Sequence, residues 1–190
     1  AAAPASAAMA AALFAVDPSG IGGVLLRSAG GPAREDWLAA LARLLPATPG
    51  LRRVPLHISD DRLLGGLDLA ATLHAGRPVA QRGLLAQADG GVIVLAMAER
   101  LSAATAARIA AVLDQGELVT ERHGVGTRSA SRLGVVALDE GQGADEHLPA
   151  PLAERLGIHL NLDDRAAPPA NTRQQIHAAR SRLGSVEWDD

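Results

Sequence analysis

The run Gly91-Val92-Ile93-Val94-Leu95-Ala96 constrains this chain more than any other stretch. It neither alternates apolar with polar residues nor repeats at helical spacing. A short, continuous, β-branched apolar run of this kind reads as a central strand buried on both faces. Such a strand needs covering layers on both sides, so the expected class is an α/β sandwich with a mainly parallel sheet. At 190 residues the chain fits one domain, with at most a fragment of a second. It buries enough surface, roughly 70%, to hold a core without staples.

The rest of the chain alternates strand and helix signals. Ala12 to Val16 reads as a short buried strand closed by the turn Asp17-Pro18-Ser19-Gly20, and Val24 to Ser28 as the opening of a helix before Gly30-Gly31-Pro32. Trp37, Leu38, Leu41, Leu44 and Leu45 recur at helical spacing up to Pro46. Strands are expected at Arg53 to Ile58, Leu133 to Leu138 and Ile158 to Leu162. Helices are expected at Leu67 to Ala75, Leu84 to Ala88, Leu152 to Leu156 and from a Ser102 cap to Gln115, the first and last closed by Gly76 and Gly116. A hairpin is expected around His123-Gly124. Residues 1–165 form the expected α/β domain. Residues 166–190 read as a linker, with Pro168 and Pro169, followed by a helix from Thr172 to Leu183 that belongs to a second, helical unit.

Charge and composition exclude several function classes. With no cysteine there is no disulfide, thiolate zinc site or cysteine nucleophile. A net charge of -3 argues against a large nucleic-acid footprint. The six histidines are scattered and no HExxH or GxSxG occurs, so no metal site is expected. The alanine-rich start lacks a basic segment and is not expected to be a signal peptide. No strongly apolar run of membrane-spanning length occurs, and a soluble, cytoplasmic protein is expected.

The segment Asp17-Pro18-Ser19-Gly20-Ile21-Gly22-Gly23-Val24, placed after the first expected strand, sits where a phosphate-binding turn would lie. Gly20, Gly22 and Gly23 are the candidate cradle. Against GxxxxGK[ST], Asp17 takes the first glycine, Gly23 the lysine and Val24 the hydroxyl position. The chain has no lysine at all; every basic residue is arginine. Against GxGxxG, Leu25 takes the third glycine. Three readings stay open: a plain glycine turn, a vestigial nucleotide site, or a dinucleotide site. The apolar run at Gly91 ends in Ala96 and Met97, where a P-loop ATPase carries the acids that hold magnesium and polarise water. Glu99, further on, is expected to face solvent.

Three stretches together resemble the AAA+ subunits of magnesium chelatase. Leu56-His57-Ile58-Ser59-Asp60-Asp61-Arg62-Leu63-Leu64-Gly65-Gly66-Leu67-Asp68-Leu69 is similar to the family's PLG-S-EDR-GSLD segment. Arg82 to Gly91 is similar to its PGLLA run, and Leu152 to Gly157 to its LLDRFG. Thr172 to Leu183 resembles the start of the family's helical lid. The resemblance implies an AAA+ P-loop-type three-layer sandwich with the start of that lid. The missing lysine and acids resemble the D-type subunit, whose motifs are decayed, and not the catalytic I type. It further implies a non-hydrolysing platform that assembles with the I subunit and, indirectly, with the porphyrin-binding H subunit. ATP and Mg2+ would be bound mainly by the partner. A Rossmann-like nucleotide-binding enzyme, or an AAA+ adaptor of a cobalt chelatase or MoxR-like system, is the alternative.

From the residues alone Arg155 reads first as a salt-bridged surface arginine; the resemblance matches it to the family's arginine-finger position. Asp60, Asp61, Arg62 and Asp68 are either acids favoured at helix starts or a subunit contact. The hairpin either projects towards partners or simply protrudes.

Overall fold

The computed structural model describes residues 3–28, 30–122, 125–141 and 145–162. The chain opens with α1 (Ala3–Val16) and a short α2 (Pro18–Ile21), then runs through β1 (Gly23–Arg27), α3 (Pro32–Leu44) and β2 (Leu51–Val54). An excursion follows: α4 (Asp60–Leu64), β3 (Gly65–Leu67), α5 (Leu69–Ala75), β4 (Ala80–Arg82) and α6 (Leu84–Gln87). Next come β5 (Val92–Leu95), a 3-10 turn at Ala98–Arg100 and α7 (Ala103–Gln115). The hairpin β6 (Glu117–Arg122) and β7 (Val125–Ala130) leads to β8 (Gly134–Asp139), α8 (Ala150–Ala153) and β9 (Ile158–Asn161).

Five strands form one sheet in the order β2-β5-β8-β1-β9. Every pairing in it is parallel. The apolar run Gly91 to Ala96 behaves as its composition requires. All four residues of β5 are buried, Val92 and Val94 in one apolar cluster and Ile93 and Leu95 in another. The first cluster is closed by Phe14 of α1 and by Trp37, Leu38 and Leu41 of α3; the second by Leu63, Leu85, Ile109 and Leu152 from α4, α6, α7 and α8. The result is a three-layer α/β sandwich.

Two sequence expectations fail together. Ala12–Val16 is the last part of helix α1, and Val24–Arg27 is strand β1. Alanine has the highest helix propensity, and the run preceding Leu13-Phe14 carries the helix through them. Val24 and Leu26 point into one cluster while Leu25 packs on the other, so β1 has no alternation to mark it as a strand. Trp37 fixes α1 against α3, its indole N–H donating to the Ala7 carbonyl at 2.9 Å. β5, β8, β9, the Ser102 cap on Thr105 N at 3.1 Å and the left-handed Gly116 and Gly76 lie where expected, whereas the strand expected at Arg53 to Ile58 is Leu51–Val54, ended by Pro55. The hairpin forms, but its tip, the linker, the lid helix and the boundary at 165 lie outside the described residues.

Candidate functional site

In an open parallel sheet, ligands bind beyond the carboxyl ends of the strands, where successive connections leave to opposite faces. Here β1 leads to α3 on one face, whereas β8 leads to α8 on the other. The crevice therefore lies between Ser28 with Gly30–Gly31 on one side and Asp139–Gly141 on the other, joined by Ser28 N donating to the Asp139 carbonyl at 3.0 Å.

Gly20, Gly22 and Gly23 are not in this crevice. Gly20 lies in α2, Gly22 caps it and Gly23 is the first residue of β1, so all three stand at the amino end of that strand, the opposite edge of the sheet. Their small size serves packing. A Cβ at Gly22, whose φ is +78°, would collide with the Arg155 carbonyl, and one at Gly23 with the Val135 carbonyl and Leu156. Asp17 is spent locally, accepting from Gly20 N at 2.9 Å and from Ser19 Oγ at 3.1 Å. Neither the phosphate-loop nor the dinucleotide pattern can act from a turn that precedes its strand.

The loop that does follow β1 contains Gly30 (φ +67°) and Gly31 (φ +123°), a backbone only glycine adopts freely, and Pro32 opens α3. Arg34, in the first turn of α3, pairs with Glu140 across the crevice. Its side chain is 16% exposed, and its Nε lies 3.6 Å from Glu35. Glu140 N donates to Glu99 Oε2 at 3.1 Å, and Gly141 N to the buried Asp139 at 2.9 Å. Arg27 reaches the Gly141 carbonyl at 3.0 Å. The Glu99 side chain is 2% exposed, which corrects its expected exposure. Met97, left-handed at φ 49°, turns the chain after β5 so that Glu99 points back under the end of β8.

This crevice does not fit a hydrolytic Mg2+–ATP. Its Arg34 cation is engaged by Glu140, and the buried acids beside it, Glu99 and Asp139, face Arg100 at 3.6 Å and Arg27 at 4.0 Å, so the arginines at this end of the sheet are already matched to carboxylates. Ala96 and Met97 end β5 without a metal ligand. Sequence reasoning missed Arg34 because it placed the loop one element too early. The signal was present as a glycine pair, a proline and an arginine following Val24-Leu25-Leu26.

Arg155 lies between α8 and β9, at the amino end of the sheet beside Gly22, with Gly157 N donating to the Ile21 carbonyl at 3.2 Å. Its guanidinium grips Asp114 of α7 with two hydrogen bonds, Nε at 2.8 Å and NH2 at 2.6 Å. That hydrogen-bonded pairing holds the Asp114 carboxyl below its ordinary value and raises Arg155 above its own. Arg155 remains partly exposed. In the family-like segment, Asp68 caps α5 by accepting from Ala71 N at 2.9 Å, and Asp60 meets Arg108 at 2.9 Å. Among the described residues no group of three histidine or acidic side chains could hold a metal, and no helix is long and apolar enough to cross a membrane.

No protein-family model matches the chain. It is 41% identical over 181 residues to the magnesium-chelatase 60 kDa subunit of Cereibacter sphaeroides, covering 92% of this chain and 28% of that protein. Against the 38 kDa magnesium-chelatase subunit of the same organism the identity falls to 28% over 199 residues, covering 88% of this chain and 58% of the relative. A single-particle cryo-EM-based structure of the complex between subunits BchI and BchD of magnesium chelatase superimposes with a TM-score of 0.66 at 27% identity, over 95% of this chain and 66% of that one. The chain thus spans about a quarter of the length of the curated 60 kDa relatives it matches.

Proposed function

The chain belongs to the family of the magnesium-chelatase 60 kDa, D-type subunits, and from that premise we propose that it is a cytoplasmic, non-hydrolysing AAA+ module. It acts as a platform: it joins a ring with the ATPase I subunit and supports ATP-dependent insertion of Mg2+ into protoporphyrin IX by the porphyrin-binding H subunit. The observation that supports this reading is the crevice beyond β1 and β8, closed by the Arg34–Glu140 ion pair. A polyphosphate entering it would have to displace a formed ion pair. ATP and Mg2+ are accordingly assigned mainly to the partner subunit.

Arg155 is this chain's own contribution. It stands at the edge of the sheet opposite its own crevice, which supports a site on a neighbouring molecule as the one it would serve on release from Asp114. Charge on a transferring phosphoryl group is what an arginine supplied in trans stabilises, worth about a thousandfold or more in rate. Asp114 acts as the positioning group that fixes the guanidinium.

The test mixes the chain with an I-type ATPase. Arg155→Ala is expected to keep the circular-dichroism spectrum and the co-elution with the partner while ATP turnover at the mixed sites falls by about a thousandfold. Unchanged turnover would remove the role of Arg155. Turnover by the chain alone at the partner's rate would remove the platform reading altogether.

A further inference from the structure

Away from the crevice, a cavity of about 400 Å³ opens where the carboxyl end of β2 meets α4, β4 and α6. Four arginines line it: Arg52 and Arg53 from β2, Arg62 from α4 and Arg82 from β4. None of its lining residues is acidic. Glu35, outside the lining, meets Arg53 at 3.3 Å and offsets one charge. Arg82 donates to the neutral Ala86 carbonyl at 2.7 Å. The Nε of Arg52 is buried with no hydrogen-bond partner, and Arg62 has no ion pair among the described residues. Gathering like charges around one cavity is unfavourable unless an anion offsets them, and a buried guanidinium N–H without an acceptor adds to that cost.

We propose that this cavity binds a small phosphate-bearing anion. Arginines from three separate elements line it, which suits an acceptor with several oxygens on one centre, and arginine forks match phosphate geometry. The volume is that of a small-molecule site, and Ile58 and Leu84 supply an apolar wall for the remainder of such a ligand. Its arginines come from the edge strand β2 and the excursion beyond it, not from the elements that frame Arg34, so the two places are separable by substitution.

Isothermal titration of the chain with inorganic pyrophosphate tests this, with citrate as a carboxylate-bearing comparison and a polyglutamate peptide as a macromolecular one. One saturable site for pyrophosphate is expected, weakened about ten- to hundredfold by Arg62→Ala and similarly by Arg52→Gln. Arg62 is exposed, so its substitution spares the fold. Arg128→Ala and Arg34→Ala should leave the affinity unchanged. The proposal is overturned by the absence of saturable heat, by an affinity indifferent to Arg62→Ala and Arg52→Gln, by dependence on Arg34 instead, or by tighter binding of polyglutamate or citrate than of pyrophosphate.

Discussion

Two arginines stand at opposite edges of the sheet, each paired with a carboxylate. Arg34 has a carboxylate partner across the crevice and little exposure, so removing Glu140 would strand a mostly buried cation. Glu140→Ala is expected to cost about 1–3 kcal/mol by urea denaturation, without loss of the native spectrum. Arg155 is held by Asp114, whose carboxyl titrates below its ordinary range because it accepts two guanidinium hydrogen bonds. A carboxylate lowered in the folded state stabilises fully above its unfolded value, and that contribution is lost as pH falls through the lowered one. The Asp114 carboxyl carbon should therefore titrate, by nuclear magnetic resonance, at a lower midpoint than in Arg155→Ala. Glu117 is held down in the same way by Arg128. The identity of Arg155 was legible from Leu152-Ala153-Glu154-Arg155-Leu156-Gly157, but its Asp114 partner was not. Forty-one positions separate the two, and the pair forms only when α7 and α8 pack together.

At the scale of elements, legibility followed local signals. β5 was readable because a run buried on both faces has a composition of its own, and α7 because Ser102 and Gly116 mark its ends. α1 and β1 were misread as strand and helix, since each is apolar on both sides and neither carries a period. That error moved the phosphate-loop assignment from Ser28–Gly31 to Gly20–Gly23, across the sheet. Phe14 is fully buried beneath the sheet, so α1 is part of the core. Phe14→Ala is expected to destabilise by about 3–5 kcal/mol in the same denaturation assay. α5 is the contrary case: it has no buried residue, and Leu69 and Leu73 are 69% and 84% exposed. Helix α5 should exchange its amide protons, by mass spectrometry, orders of magnitude faster than α7, because little packing opposes its opening.

For the whole molecule, the sheet order β2-β5-β8-β1-β9 separates what the chain offers from what it has closed. Purified alone, it is expected to release no phosphate from ATP above a buffer blank. With an I-type ATPase and ATP it should shift to a larger species in size-exclusion chromatography coupled to light scattering. The arrangement also gives any ring that includes it a handedness of labour. On the proposed role of Arg155, a neighbour on that side would gain a donated cation and one on the Arg34 side would find a shut door, so two adjacent copies would form a silent seam between them. Catalytic output would then depend on the sequence of subunits around the circle as well as on their number.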